Sequence, residues 1–399
     1  MTIHARKSLP LVAVTVSVFV LFAVCAPFSV AQGSASAGVV GMAVEAGETQ
    51  AEVEAYWTPE RLRSAQPMDL HPEVGADGLP IGTEVSTQFG RFVSERGAPP
   101  SVEIGNDSRK VLVPGGFALE AEPENDVMPF ATSSFGAYFT TTRVFPDVTT
   151  TTYPYRTAGQ LFYTDPTNGK HFVCSASVQR WRVLVTAGHC VAHGSTNPAT
   201  RYFYGKFMFV PSENQGVAPN GVWVPSYIAT TLQWLDDGSV PNQQDVGMLV
   251  IIDQTINGKG PFKIGQITGY LGYSHCTGLN CSNPPLAHNH VTMLGYPCNL
   301  DNCSRMEQNN AQTFGSGGSN TWIYGSAMRG GSSGGPWVQD FGVAPAGAPV
   351  GLLGNNFVIA VTSYGPVSTT PLYQGASAFD VRFANLLTLA CSHAGSGGC

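Results

Sequence analysis

The chain has no cluster of basic residues, no internal repeat, few stretches with helical spacing, and one long apolar run, at residues 11–24. Without a basic cluster, nucleic acid and anionic membrane surfaces are poor candidates for partners. No other segment is apolar enough to span a bilayer, so the chain should be soluble once that run is removed. Scarce helical spacing puts a β fold first. The formal charge of −7 is unevenly shared. Acids crowd residues 32–130 with few bases against them, whereas beyond Phe130 the two signs nearly balance.

The apolar run follows Arg6 and Lys7 and leads to Ser29-Val-Ala31, the arrangement of a secretory signal cleaved before Gln32. It is shorter than the roughly 20 residues of a spanning helix, and it meets Pro27. Of nine cysteines, Cys25 falls in this leader; the even number left suits a secreted, extracellular, disulfide-bonded protein. Residues 32–130 are acidic and broken by Pro72, Pro80, Pro99, Pro100 and Pro114, and read as a pro-segment removed on maturation. A disordered spacer or an adhesive module is the other reading. Within it, residues 57–68 suit a short helix capped by Thr58 with Pro59 in first position. The cut is expected between Phe130 and Val144, with Arg143-Val144 a candidate bond.

From residue 131 onward, β-branched and aromatic runs alternate with turn residues. Strands are predicted at 160–163, 172–175, 182–186, 202–210, 246–252, 290–294 and 358–362, the first two joined as a hairpin across Asp165-Pro-Thr-Asn-Gly169. One late helix is predicted at 379–389. This is the pattern of an all-β sandwich or barrels.

Two motifs carry the chemistry. Val-Thr-Ala-Gly-His-Cys at 185–190 offers a base, and Gly-Ser-Ser-Gly-Gly-Pro at 331–336 offers a serine in a glycine-rich turn. Serine is a weak nucleophile until a neighbouring base takes its proton, and glycines let backbone N–H groups turn toward a developing oxyanion. Asp245 lies between the motifs, ahead of an apolar run that would bury it beside the imidazole. The chain order His189, Asp245, Ser333 is that of the chymotrypsin template.

These motifs, with Cys174-Ser-Ala-Ser-Val, Gly295-Tyr-Pro and Val361-Thr-Ser-Tyr-Gly365, make the region from about Tyr153 to Ala390 resemble the chymotrypsin-like serine proteases, nearest the secreted bacterial glutamyl-endopeptidase branch. The resemblance implies a protease domain at residues 131–399, built as two six-stranded antiparallel β-barrels with a C-terminal helix. It implies catalysis by His189, Asp245 and Ser333, an oxyanion hole from the Gly331 and Ser333 N–H groups, and a Cys174–Cys190 disulfide. It places the base of the substrate pocket near Ala327, its wall near Met328, and the strand that pairs with substrate at Thr362, Ser363, Tyr364 and Gly365. It calls for no cofactor and no metal. The partners implied are protein or peptide substrates, with the chain's own pro-segment as inhibitor or chaperone. Local pairing of Cys276 with Cys281, Cys298 with Cys303 and Cys391 with Cys399 is a guess, and other connectivities stay open.

Two departures matter. Ser332 stands where trypsin-like enzymes carry an aspartate that pairs with a new N-terminus, so that route of activation is absent, as in the glutamyl-endopeptidase branch. That branch has a histidine before the pocket-strand serine, but here Thr362 precedes Ser363. With no carboxylate near Ala327 and no such histidine, an apolar side chain on the acyl side of the scissile bond is expected, although Arg329, if turned inward, would serve an acidic one. Two other functions remain open. One is a non-catalytic binding protein on a protease scaffold. The other is an α/β-hydrolase esterase, since residues 331–335 also fit Gly-x-Ser-x-Gly, with Asp380 and His393 completing the order.

Overall fold

The computed structural model describes residues 38–44, 48–81, 91–104, 109–117, 138–256, 258–279, 290–318, 320–342, 354–366 and 372–399. The expected secretory leader, Cys281 and the first part of the expected maturation window, residues 130–137, lie outside them. The predicted hairpin is formed by Ala158–Thr164 and His171–Val178. Its turn follows from Asp165, whose carboxylate accepts from the Thr167 N–H at 2.8 Å, and from Gly169 at φ +71°, a conformation glycine adopts without penalty.

That hairpin starts the first barrel. Its strands run in the order Gly205–Pro211, Ala158–Thr164, His171–Val178, Val183–Thr186, Gly247–Ile251 and Pro225–Thr231, antiparallel throughout. Phe209 and Trp223 exchange backbone hydrogen bonds at 2.8 and 2.9 Å, which brings the approach to the last strand back to the first. The second barrel is a closed ring of Pro336–Gln339, His290–Gly295, Glu307–Gly318, Thr321–Gly325, Tyr373–Ala378 and Phe357–Tyr364, the last pairing back on the first. Each encloses its own core. Leu161, Ala176, Leu184 and Leu249 are among the buried residues of the first, and Val291, Met293, Tyr324, Trp337 and Ile359 of the second.

The C-terminal helix, Val381–His393, extends four residues past the predicted end. Asp380 caps it, accepting from the Arg382 N–H at 2.8 Å. Phe383, Leu386, Leu387 and Ala390, spaced three, four and seven residues on, form the buried face that packs on the first barrel. Two antiparallel six-stranded barrels and this helix make the chymotrypsin-like fold. A strand, Pro336–Gln339, follows Ser333 where an α/β-hydrolase needs a helix. Asp380 pairs with Arg382, and His393 stacks on Tyr227, so neither serves that serine.

The acidic N-terminal region is more structured than its composition suggests. A helix at Pro59–Ser64 has Thr58 as cap, as predicted, and a second at Gln50–Tyr56 is closed by a Thr49–Glu52 capping box. Val53, Trp57 and Leu62 from these helices bury against Phe162, Val173, Met208 and Val210 on the outer face of the first barrel. Val39–Ala43 adds a strand beside Pro225–Thr231, and Phe92–Glu95 adds one beside Gly272–Cys276. All described residues fall in one compact unit, Gly33–Cys399. At the candidate bond Arg143-Val144, Arg143 ends the paired strand Phe139–Arg143, is exposed and is ion-paired with Asp301, while Val144 is buried.

Disulfides join Cys174 to Cys190, Cys298 to Cys303 and Cys391 to Cys399. Cys276 is also disulfide-bonded, but its expected partner is outside the described residues. Among the described residues no helix is long and apolar enough to cross a membrane. Because Cys174–Cys190 ties two first-barrel segments 16 residues apart, replacing both cysteines by alanine should cost about 2–4 kcal/mol in urea unfolding. An unchanged midpoint would show that the bridge adds no stability.

Candidate active site

The site is assembled from the ends of strands. Val183–Thr186 delivers a single tight turn, Gly188–Cys190, that carries His189, and the disulfide at Cys190 ties this turn to His171–Val178. Gly188 is needed there, since a Cβ would stand 2.7 Å from the Trp234 ring. Asp245 sits just ahead of Gly247–Ile251, fully buried. Its Oδ1 accepts the His189 backbone N–H at 2.8 Å, and its Oδ2 bonds the ring Nδ1 at 2.7 Å. A carboxylate only accepts, so the Nδ1 proton belongs to the ring and Nε2 is left as the basic nitrogen. That Nε2 is buried, with no hydrogen-bond partner among the described residues. Ser363, from the second barrel, donates its hydroxyl to the same Oδ2 at 2.6 Å. The two sulfurs near His189 are joined to each other, so they offer no thiolate for a metal.

The serine loop is held from several sides. The Gly330 carbonyl accepts from the Cys298 N–H at 2.7 Å, and the Gly331 carbonyl accepts from the Ser175 hydroxyl at 2.9 Å. Ser175 itself accepts from the Tyr296 N–H at 3.0 Å, which gives the Gly-Tyr-Pro motif a structural task. The Ser332 carbonyl accepts from Gly335 N–H at 2.9 Å, and the Ser333 carbonyl from Ser175 N–H at 2.7 Å. In a trans peptide the N–H points away from the preceding carbonyl. The Gly331 and Ser333 N–H groups therefore face away from the Cys298 and Gly335 contacts, and neither has a partner among the described residues. Gly331 has φ +95° and Gly334 φ +79°, so both need glycine.

Of the expected pocket residues, Thr362, Tyr364 and Gly365 line a cleft beside Ser333, and Ser363 is turned to Asp245. Ala327 and Met328 do not reach that lining. Ala327 is tied down through Asn299 and Thr141, and the Met328 side chain joins the second-barrel core. The cleft is instead completed by Arg329, Ser332 and Gln374. Gln374 donates to the Ser332 hydroxyl at 2.6 Å and accepts from the Ser326 hydroxyl at 2.9 Å. Burial lowers the pKa of Arg329, and Tyr373 and Asp69 oppose that shift. A polar lining with one guanidinium departs from the apolar slot expected. Asp69, Leu70 and His71, far off in sequence, also line this cleft. No local pattern marks them or Gln374, because their positions depend on long-range pairing.

The chain matches none of the known protein families and no curated protein sequence with which it was compared. Among solved structures it is similar to the thermostable serine protease AL20 from an extremophilic microorganism, at 23% identity over 59% of this chain and 97% of that one, with TM-score 0.47. It is similar to the protease Anisep from Arthrobacter nicotinovorans at 22% identity, over 59% and 96%, with TM-score 0.45. A Glu endopeptidase solved with MPD gives 18% identity, over 63% and 96%, with TM-score 0.45.

A methyl group at Gly334 would collide with Thr186 Oγ1 and the Ser175 carbonyl, whereas one at Gly205 meets nothing within 4 Å. Gly334→Ala should therefore lose about 2–4 kcal/mol of stability, and Gly205→Ala nearly none, in parallel denaturant titrations. Equal losses would mean that the loop is free to relax.

Proposed function

We propose that this protein is a secreted serine endopeptidase, made as a zymogen, that cleaves protein or peptide substrates through an acyl-enzyme. The observation that carries the reading is the buried Asp245–His189 pair beside a glycine loop, with His189 Nε2 and the Gly331 and Ser333 N–H groups without partners among the described residues. In this reading Ser333 Oγ attacks the scissile carbonyl carbon as His189 Nε2 takes its proton. The oxyanion is held by the two N–H groups. Collapse breaks the C–N bond, and His189 returns the proton to the leaving amine. Water then repeats the cycle on the acyl ester, releasing the acid and free Ser333. Asp245 orients the ring and stabilises the imidazolium.

Disulfides at Cys174, Cys298 and Cys391 support an exported protein. The presence of His189, Asp245 and Ser333 together in the sequence favours an enzyme over a binding protein without activity. For the acyl-side residue, the lining by Arg329, Ser332, Thr362 and Gln374 favours an acidic side chain over an apolar one. A lysine or arginine there would meet a guanidinium and no carboxylate from the barrel.

Ser333→Ala and His189→Ala should each lower kcat by roughly 10⁴-fold or more on a cleaved peptide, since the groups act as a unit. Full activity in either variant would refute the assignment. Across peptides differing only in the acyl-side residue, Glu or Asp should be preferred, and Arg329→Gln should remove roughly 100-fold or more of that preference in kcat/KM. Preference for a large apolar residue, unchanged by Arg329→Gln, would restore the apolar reading.

A further inference from the structure

The segment at residues 66–71 crosses the cleft from one barrel to the other. At its start, Gln66–Pro67 pairs in parallel with Phe172 and Val173 of the first barrel, and Met68 accepts from the Tyr204 hydroxyl at 3.5 Å. At its end, the Leu70 carbonyl accepts from the Gly365 N–H at 3.3 Å, and His71 Nδ1 lies 3.0 Å from the Gly365 carbonyl. Leu70 packs on Ile323, Tyr364 and Tyr373 of the second barrel. Between these anchors, the Asp69 carboxylate presses on Gly330, in the space a Cβ there would fill. Asp69 keeps an exposed outer side. Partial burial of its carboxyl raises its pKa, and the charges of His71, His189 and Arg329 oppose that rise.

Direction decides what this segment does. On the proposed mechanism, on which this inference rests, the acyl half of a substrate pairs with residues 363–365 of the second barrel. The leaving half lies over the first barrel, because His189 must protonate the leaving amine. A substrate therefore runs, from N- to C-terminus, from the second barrel to the first. Residues 66–71 run from the first barrel to the second. We infer that they are a built-in strap that closes the active site in the reverse of the substrate direction, so that it excludes substrate without being cut.

Reversal exchanges the places of C=O and N–H in every peptide unit, so no strap bond presents its amine to His189 while its carbonyl meets Ser333. The hydrogen bonding agrees. In a parallel ladder the residue two beyond Leu70 would donate to the Gly365 carbonyl, but that residue is Pro72, which has no N–H. The His71 ring takes that place. Flanking structure fixes the strap at both ends. The helix Pro59–Ser64 precedes it, and a turn follows in which Gly75 N–H bonds Leu79 O at 2.8 Å and Ile81 N–H bonds Glu73 O at 3.0 Å. A chain cut near residue 130 would leave these contacts in place, so latency ends when the N-terminal part dissociates.

The test uses the full secreted chain and an organophosphonate probe that reacts with an activated serine. Labelling of the intact parent should be slow, and Asp69→Ala combined with Leu70→Ala should accelerate it by roughly 30-fold or more as the open population rises. Equal rates in parent and variant would overturn the strap while leaving the protease reading intact. No labelling of any form, including chain freed of its N-terminal part, would overturn both. A second readout needs no variant. Peptide mapping after long incubation of the parent should find residues 66–72 uncut, and cleavage by the enzyme between Met68 and His71 would overturn the reversed direction.

Discussion

A fully buried carboxylate, Asp245, is the constraint on which the rest of the site depends. It has no water to solvate it, so its charge is bearable only if neighbours donate to it. Three do: the His189 N–H, the His189 ring, and the Ser363 hydroxyl. The first two fix the imidazole in position and tautomer. The third comes from the other barrel, so the carboxylate that holds the imidazole also ties the two halves of the fold across the cleft. The serine loop is then located against that frame through Ser175 and Thr362, the latter accepting from Gly334 N–H at 2.8 Å.

Much of this was legible in the sequence where local rules act. Asp165 with Gly169 specified a hairpin, Thr58 with Pro59 a helix start, and residues 379–389 the one late helix. The glycines around Ser333 marked positive φ and close approach, and both are found at Gly331 and Gly334. The seven expected strands form within a few residues of their expected bounds, since each is a short β-branched run bounded by turn residues; Pro225–Thr231, Glu307–Gly318, Thr321–Gly325, Pro336–Gln339 and Tyr373–Ala378 were not among them.

The resemblance places Ala327 and Met328 in the acyl-side pocket; Met328 packs in the second-barrel core, and Arg329, the residue after it, lines the cleft beside Ser333. Gln374 reaches Ser332 only because Tyr373–Ala378 pairs between two distant strands. The N-terminal region was harder to read. Its acids and prolines read as weak local structure, yet Val53, Trp57 and Leu62 gain a partner surface on the outer face of the first barrel. Such stability comes from tertiary burial rather than propensity, and leaves only sparse apolar residues as its sequence trace.

The central claim is that Ser333 is a nucleophile served by His189 and by two prearranged N–H groups. The most direct measurement is a crystal structure of the chain freed of its N-terminal part after reaction with an organophosphonate. It should show phosphorus bonded to Ser333 Oγ and a phosphoryl oxygen within about 2.7–3.1 Å of the Gly331 and Ser333 nitrogens, with the Asp245–His189 pair unchanged. An adduct on another side chain, or a phosphoryl oxygen turned away from both nitrogens, would contradict it.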